Sequence, residues 1–147
     1  MNRREKLNKQ LNLMIDKAHR ALEAARVLLR EEDVGAVSSK SYYAVFHMLQ
    51  AALLTKELSF SRHLTVMNAF SNQFIKSGIF PKEFSKEIKR LKRNREVGDY
   101  EYLKTIQREQ AEKDLKSAEN IVGAIELYIQ NFMTESKEQY TEDDRDN

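Results

Sequence analysis

Residues 35–57 read GAVSSKSYYAVFHMLQAALLTKE, and this stretch decides the fold. Tyr42, Phe46, Leu49 and Leu53 recur at steps of three and four, the period of one helical face. Tyr43, Val45, Met48, Ala52 and Leu54 spread around the rest of the circumference. A helix that is apolar nearly all round belongs at the centre of its domain. Asp33 is placed to cap it, and the helix is expected from about Gly35 to Glu57.

The same period extends in both directions. Leu7, Leu11, Met14, Ala18, Ala21, Ala25 and Leu28 predict a long amphipathic helix over Glu5–Arg30, broken by Glu31–Gly35. Ser59 or Ser61 is placed to cap a third helix carrying Val66, Phe70 and Phe74, which Gly78 ends in a left-handed cap. Pro81 starts a fourth, with Phe84, Ile88 and Leu91 inward and Lys82, Lys86, Lys89, Arg90, Lys92 and Arg93 outward, until Gly98 interrupts it. A fifth opens near Thr105 and carries the seam Ala111, Leu115, Ala118, Val122, Ile125, Ile129 and Phe132. Short connections between long helices predict an all-α, antiparallel up-and-down bundle of about five helices. The alanines Ala21, Ala24, Ala25, Ala44, Ala51 and Ala52 suit close helix packing more than a cofactor cavity.

Composition agrees. The chain has 147 residues, 33% charged and 41% hydrophobic, with four glycines, one proline and no cysteine. One soluble domain over 1–134 is expected. Disulfides, thiolate metal sites and cysteine nucleophiles are excluded. No signal peptide is recognisable in Met1–Gln10, and no apolar run approaches the roughly 20 residues of a membrane span, so a cytoplasmic protein without membrane partners is expected. Residues 135–147, ESKEQYTEDDRDN, hold six acids against two bases and no apolar period; they read as an acidic, disordered tail. Because the whole chain is +2, the body is basic.

Few residues stand out as chemistry. His19, His47 and His63 lie on three different helices without ligand spacing, so no metal and no cofactor is expected. His47 is one turn from Tyr43, and His63 is near a helix start. Arg95 is the anomaly: steps of four, three and four from Phe84 through Ile88 and Leu91 place its guanidinium at the end of an apolar stripe, where it needs an anion. Asp99, four residues on, would supply one and pin the turn before the last helix. Alternatively the arginine, with Lys92 and Arg93 nearby, presents a donor fork to a phosphate. The basic run Lys86–Arg95 suits RNA contact and a solvated helix face about equally.

Three segments in order, SKSYYAVFHMLQAALL (39–54), RHLTVMNAFSNQFIKSG (62–78) and RNREVGDY (93–100), resemble the HEPN family of small prokaryotic helical proteins. The likeness is strongest to its branch with an SxxYYAxFH helix and an RxxxDY turn. The resemblance implies a bundle that homodimerises, is often encoded beside a minimal nucleotidyltransferase, and was named for nucleotide binding. Many members are metal-independent ribonuclease toxins that use an arginine followed within two helical turns by a histidine. Here Arg93 is followed at that place by Asp99. On this likeness Arg95 and Asp99 are the candidate catalytic pair, and Arg93, Arg95, Tyr100, Tyr43 and His47 the candidate phosphate- or nucleotide-binding residues. Two functions stay open. One is a noncatalytic nucleotide- or RNA-phosphate-binding homodimer partnering a nucleotidyltransferase in a toxin–antitoxin-type pair. The other is a metal-independent ribonuclease toxin in which His47 or His63 replaces the missing histidine, since an aspartate with an ordinary pKa near 3.9 is a poor proton carrier at neutral pH.

Overall fold

The computed structural model describes residues 1–145, with side chains through Glu135. Its helices are α1 (Arg3–Arg30), α2 (Val34–Leu54), α3 (His63–Phe70), α4 (Glu83–Tyr100) and α5 (Arg108–Arg145). α3 runs on into a π-helical turn at Ser71–Ile75. Apolar period places each helix. The buried face of α1 is Leu11, Ile15, Ala18, Leu22 and Ala25, and Asn2 caps its start by accepting from the Glu5 N–H at 2.8 Å. α2 is the central element, packed on α1, α3, α4 and α5. Tyr42, Met48, Leu49, Ala51, Ala52 and Leu53 are all buried. α1 and α5 run antiparallel, since His19 meets Glu126 and Arg26 meets Glu119. At the far end of the bundle Phe70, Phe74, Phe80, Phe84 and Tyr128 form a continuous aromatic cluster. The chain is an all-α antiparallel helical bundle.

Several local expectations change. α4 does not stop at Gly98 but continues to Tyr100. Gly98 serves close approach instead of a turn: a Cβ built on it would stand 2.7 Å from the carbonyl oxygen of Gly35 in α2. The two glycines therefore let α2 and α4 touch backbone to backbone. Asp33 occupies the cap position of α2 without a side-chain capping bond, and α3 begins after Arg62, with neither Ser59 nor Ser61 capping it. α1 and α2 both end without glycine. Glu32 (φ 63°) and Glu57 (φ 60°) adopt the left-handed conformation, and the following N–H groups of Asp33 and Leu58 return to the carbonyls of Leu28 and Leu53. α2 thus stops at Leu54, three residues short of the expected Glu57. Gly78, at φ 83°, is left-handed as its position predicts.

α5 keeps helical backbone to Arg145, into the segment expected as an acidic tail; the side chains of 136–145, and Asp146 and Asn147 altogether, lie outside the described residues. The large apolar residues of α2 are buried or half-buried within one chain. The exposed large apolar residues lie elsewhere, among them Leu13, Leu64, Tyr100, Tyr102, Leu103 and Leu127. Among the described residues no helix is long and apolar enough to cross a membrane.

Candidate functional site

α4 carries arginines at 90, 93 and 95, and at 3.6 residues per turn it sends them in three directions. Arg95 turns toward α2. Its Nη2 donates to the Tyr43 hydroxyl at 2.7 Å and to the Tyr100 hydroxyl at 3.3 Å. Its Cζ lies 5.2–5.6 Å from the ring centres of Tyr42, Tyr43 and Tyr100, so three tyrosines surround one guanidinium. The Nε is 3.2 Å from Asp99 Oδ2, an ion pair whose N–H does not point along the hydrogen-bond direction. The same carboxylate oxygen accepts from Ser39 Oγ at 3.2 Å and so ties the last turn of α4 to α2. Burial works against the arginine's charge, but the hydrogen bond to Tyr43 and the oxygens of Tyr43, Tyr100 and Asp99 outweigh it and hold the group above its ordinary pKa.

Arg90 turns the other way, toward α5. Its Nε donates to Asp114 Oδ1 at 3.1 Å and an Nη to Ser117 Oγ. Asp114 is wholly buried, and its second oxygen accepts from Ser38 Oγ at 2.9 Å and Asn94 Nδ2 at 2.8 Å. This network joins α2, α4 and α5 through one carboxylate with every contact a hydrogen bond. The sequence pattern placed Arg90 on the solvent face. The signal that it turns inward was Asp114 itself, which sits three after Ala111 and four before Ala118, inside the apolar seam of α5.

Arg93 has no ion pair or hydrogen bond among the described residues. It is exposed and lines a cavity of about 510 Å³ with Asn94, Val97, Lys104, Gln107 and Gln110. A smaller one, about 160 Å³, lies between Arg93, Lys113 and the Arg90–Asp114 pair. Lys104 and Lys113 are likewise unpaired among the described residues. Arg93 therefore borders two cavities, one with Lys104 and one with Lys113, while Asp114 in the second is already engaged by Arg90, Ser38 and Asn94.

Of the residues singled out from sequence, Tyr43, Arg95, Asp99 and Tyr100 meet in one cluster. Arg93 faces away from it. His47 is also outside, on the side of α1, where burial and then the Lys17 charge lower its pKa. His63 is at a helix start as expected, the first residue of α3, but it is half-buried against α2. Its ring stacks on Phe46 with centres 4.0 Å apart, and its Nδ1 and the Tyr42 hydroxyl share a hydrogen bond of 2.5 Å. Burial, then the charges of Arg95 and Lys92, lower the His63 pKa, so the ring is neutral and able to accept. Burial in turn pushes the Tyr42 phenol up to about 12, with Arg95 opposing and Tyr43 and Glu96 adding, so its proton stays available to donate. Among the described residues no three His, Asp or Glu converge as a metal site.

The chain has relatives in sequence and in fold. A family model described as HEPN domain matches residues 11–128. The chain belongs to the HEPN family. It is 34% identical over 132 residues to a UPF0332 protein of Thermotoga maritima, covering 90% of this chain and 98% of that one. To a Methanocaldococcus jannaschii protein named "Putative toxin MJ0142" it is 30% identical over 121 residues, 82% of each. A second protein of that organism, named "Putative toxin MJ0605", is 27% identical over 127 residues, 86% of this chain and 94% of the relative. In fold, the HEPN chain is similar to the crystal structure of TT1696 from Thermus thermophilus, with a TM-score of 0.68 over 80% of this chain and 96% of the other at 16% identity.

Proposed function

We propose that this HEPN protein is a homodimeric nucleotide- or RNA-phosphate-binding module and the toxin-side partner of a minimal nucleotidyltransferase in a toxin–antitoxin-type pair. The observation that carries the binding role is the contrast among the arginines of α4. Arg90 and Arg95 are engaged by Asp114 and Asp99, whereas Arg93 is exposed, unpaired among the described residues and opens onto the cavity it shares with Lys104. A free guanidinium beside a second free cation and two glutamine side chains matches the charge and donor pattern of a phosphate site. Arg95 and its tyrosines are then the scaffold that fixes the end of α4, not the ligand site. The toxin names of the two Methanocaldococcus jannaschii relatives support the toxin side of the pair. Titration of a labelled single-stranded RNA tests the binding role: Arg93→Ala/Lys104→Ala abolishes it, and affinity equal to wild type in that variant rejects the site.

A second reading has one observation behind it. His63 stands in the Arg95 cluster with a lowered pKa and a hydrogen-bonded Nδ1, which leaves Nε2 as the ring's other proton site. In a metal-independent ribonuclease that imidazole would take the role of the histidine that Asp99 replaces. RNA cleavage in chelator by the wild type, lost in His63→Ala and retained in Asp99→Ala, would establish this reading. An inert wild type that gains cleavage on Asp99→His would instead mark the bundle as a disabled nuclease.

A further inference from the structure

The short connection between α4 and α5, residues 101–107, leaves an aromatic side chain standing in water. Tyr102 is 97% exposed and makes no hydrogen bond, ion pair or ring contact among the described residues. Tyr100 and Tyr102 are the exposed aromatic residues of the described chain, and they differ in one respect. The ring and hydroxyl of Tyr100 are taken by Arg95, whereas those of Tyr102 are taken by nothing. A phenol ring in that state is a flat apolar face with a polar edge, free to pack against a second flat face.

Its neighbours select that second face. Lys104 lines the cavity of about 510 Å³ together with Arg93, and neither cation is paired among the described residues. Lys104 follows Tyr102 by two residues, which span at most about 7 Å of chain. The ring and the ammonium group are therefore within one nucleotide of each other. Cations beside an exposed aromatic ring are the arrangement that holds a single strand, the cations on the phosphate and the ring on the base it carries. A purely apolar partner would leave Arg93 and Lys104 without a counter-charge, and a bare phosphate would leave the ring without a partner. A duplex satisfies only the cations, because its bases are already stacked on one another. An unpaired nucleotide satisfies both. Glu101, exposed on the other side of Tyr102, repels phosphate from that flank and so directs the backbone toward Lys104.

We infer that Tyr102 is a base-stacking platform: an unpaired nucleotide of RNA places its base on the Tyr102 ring and its phosphate between Lys104 and Arg93. This rests on the phosphate site proposed above and names the part of the ligand that lies beside it. Because the chain has no tryptophan, Tyr102→Trp sets a single fluorescent reporter on the platform and keeps a stacking ring. A single-stranded oligoadenylate of about ten nucleotides is expected to quench that fluorescence. Inorganic polyphosphate, which has the charge without the base, is expected to bind without quenching. Tyr102→Ala is expected to weaken oligoadenylate binding about fivefold or more, and Tyr102→Phe to retain it. Neither should alter polyphosphate binding or the salt dependence of RNA affinity, since a base stack releases no counterions. The side chain is so exposed that none of these substitutions removes a packed contact. Oligoadenylate that binds wild type and Tyr102→Ala equally and leaves Tyr102→Trp unquenched, while Arg93→Ala/Lys104→Ala abolishes binding, overturns the platform and leaves the phosphate site standing. A wild type that binds neither oligoadenylate nor polyphosphate overturns both.

Discussion

Replacing Gly98 by alanine probes the contact that sets the spacing of α2 and α4. The added Cβ would stand 2.7 Å from the Gly35 carbonyl oxygen and 3.2 Å from its carbonyl carbon and Cα. These are backbone atoms inside a helix and cannot swing aside. The carbon–oxygen separation is more than half an ångström inside ordinary contact, so the two helices must part locally. Overpacking of this kind costs about 1–3 kcal/mol. Alanine's better helix propensity returns at most about 1 kcal/mol, and less in the last turn of α4. The net expectation is a loss of about 1–2 kcal/mol, read as a lower urea midpoint at unchanged slope. Gly123→Ala in α5 is the internal control, since nothing lies within 4 Å of its Cβ position, and it should stabilise by up to about 1 kcal/mol. Separation of the helices at Gly98 would also disturb the neighbouring Asp99–Ser39 bond, which a loosened Tyr100 environment in near-ultraviolet circular dichroism would report. If Gly98→Ala unfolds at the wild-type midpoint or above it, the backbone contact is not what holds α4 to α2.

Other expectations follow from the same structure. Asp114→Asn should destabilise by roughly 2–4 kcal/mol, because it strips the buried counter-charge from Arg90, whose side chain retains only partial access to water; chemical denaturation measures it, and a change under about 0.5 kcal/mol contradicts the network. Glu57→Gly should stabilise by about 1 kcal/mol, since glycine adopts the left-handed conformation without the Cβ penalty and the Arg3 ion pair it removes is almost fully exposed. His47 and His63 have folded pKa values below the ordinary 6.5, so the unfolded chain binds more protons on acidification. Stability should therefore be fully present above about pH 6.5 and fall below it, through the window down to the lowered folded values. His63→Gln should flatten that decline, and a melting temperature that rises between pH 7 and pH 5 would contradict the sign.

Most of the architecture was legible because its cause is periodic. The seams of α1, α2 and α5 are written at steps of three and four, and the helices lie where those steps run. The ends were harder to see. α1 and α2 terminate at left-handed glutamates, which sequence rules assign to glycine, and Gly98, read as a terminator, is a contact. The candidate site was half legible. Arg95 was flagged because a charge broke an apolar line, and it does lie against Tyr43, Asp99 and Tyr100. Asp114 breaks the line of α5 in the same way and passed unmarked, so its pull on Arg90 was missed. His63 could not have been placed, because its partners Tyr42 and Phe46 come from another helix and only the crossing of α2 and α3 brings them together.

Arg93, not Arg95, is the residue proposed to meet phosphate, and the salt dependence of single-stranded RNA binding separates the two, followed by fluorescence anisotropy in wild type, Arg93→Ala and Arg95→Gln. Each phosphate contact contributes about 0.7 to the slope of log affinity against log salt. Arg93→Ala is expected to weaken binding and flatten the slope by about that amount, while Arg95→Gln, at matched helicity, leaves the slope unchanged. A slope unaltered in Arg93→Ala and flattened in Arg95→Gln would overturn the assignment.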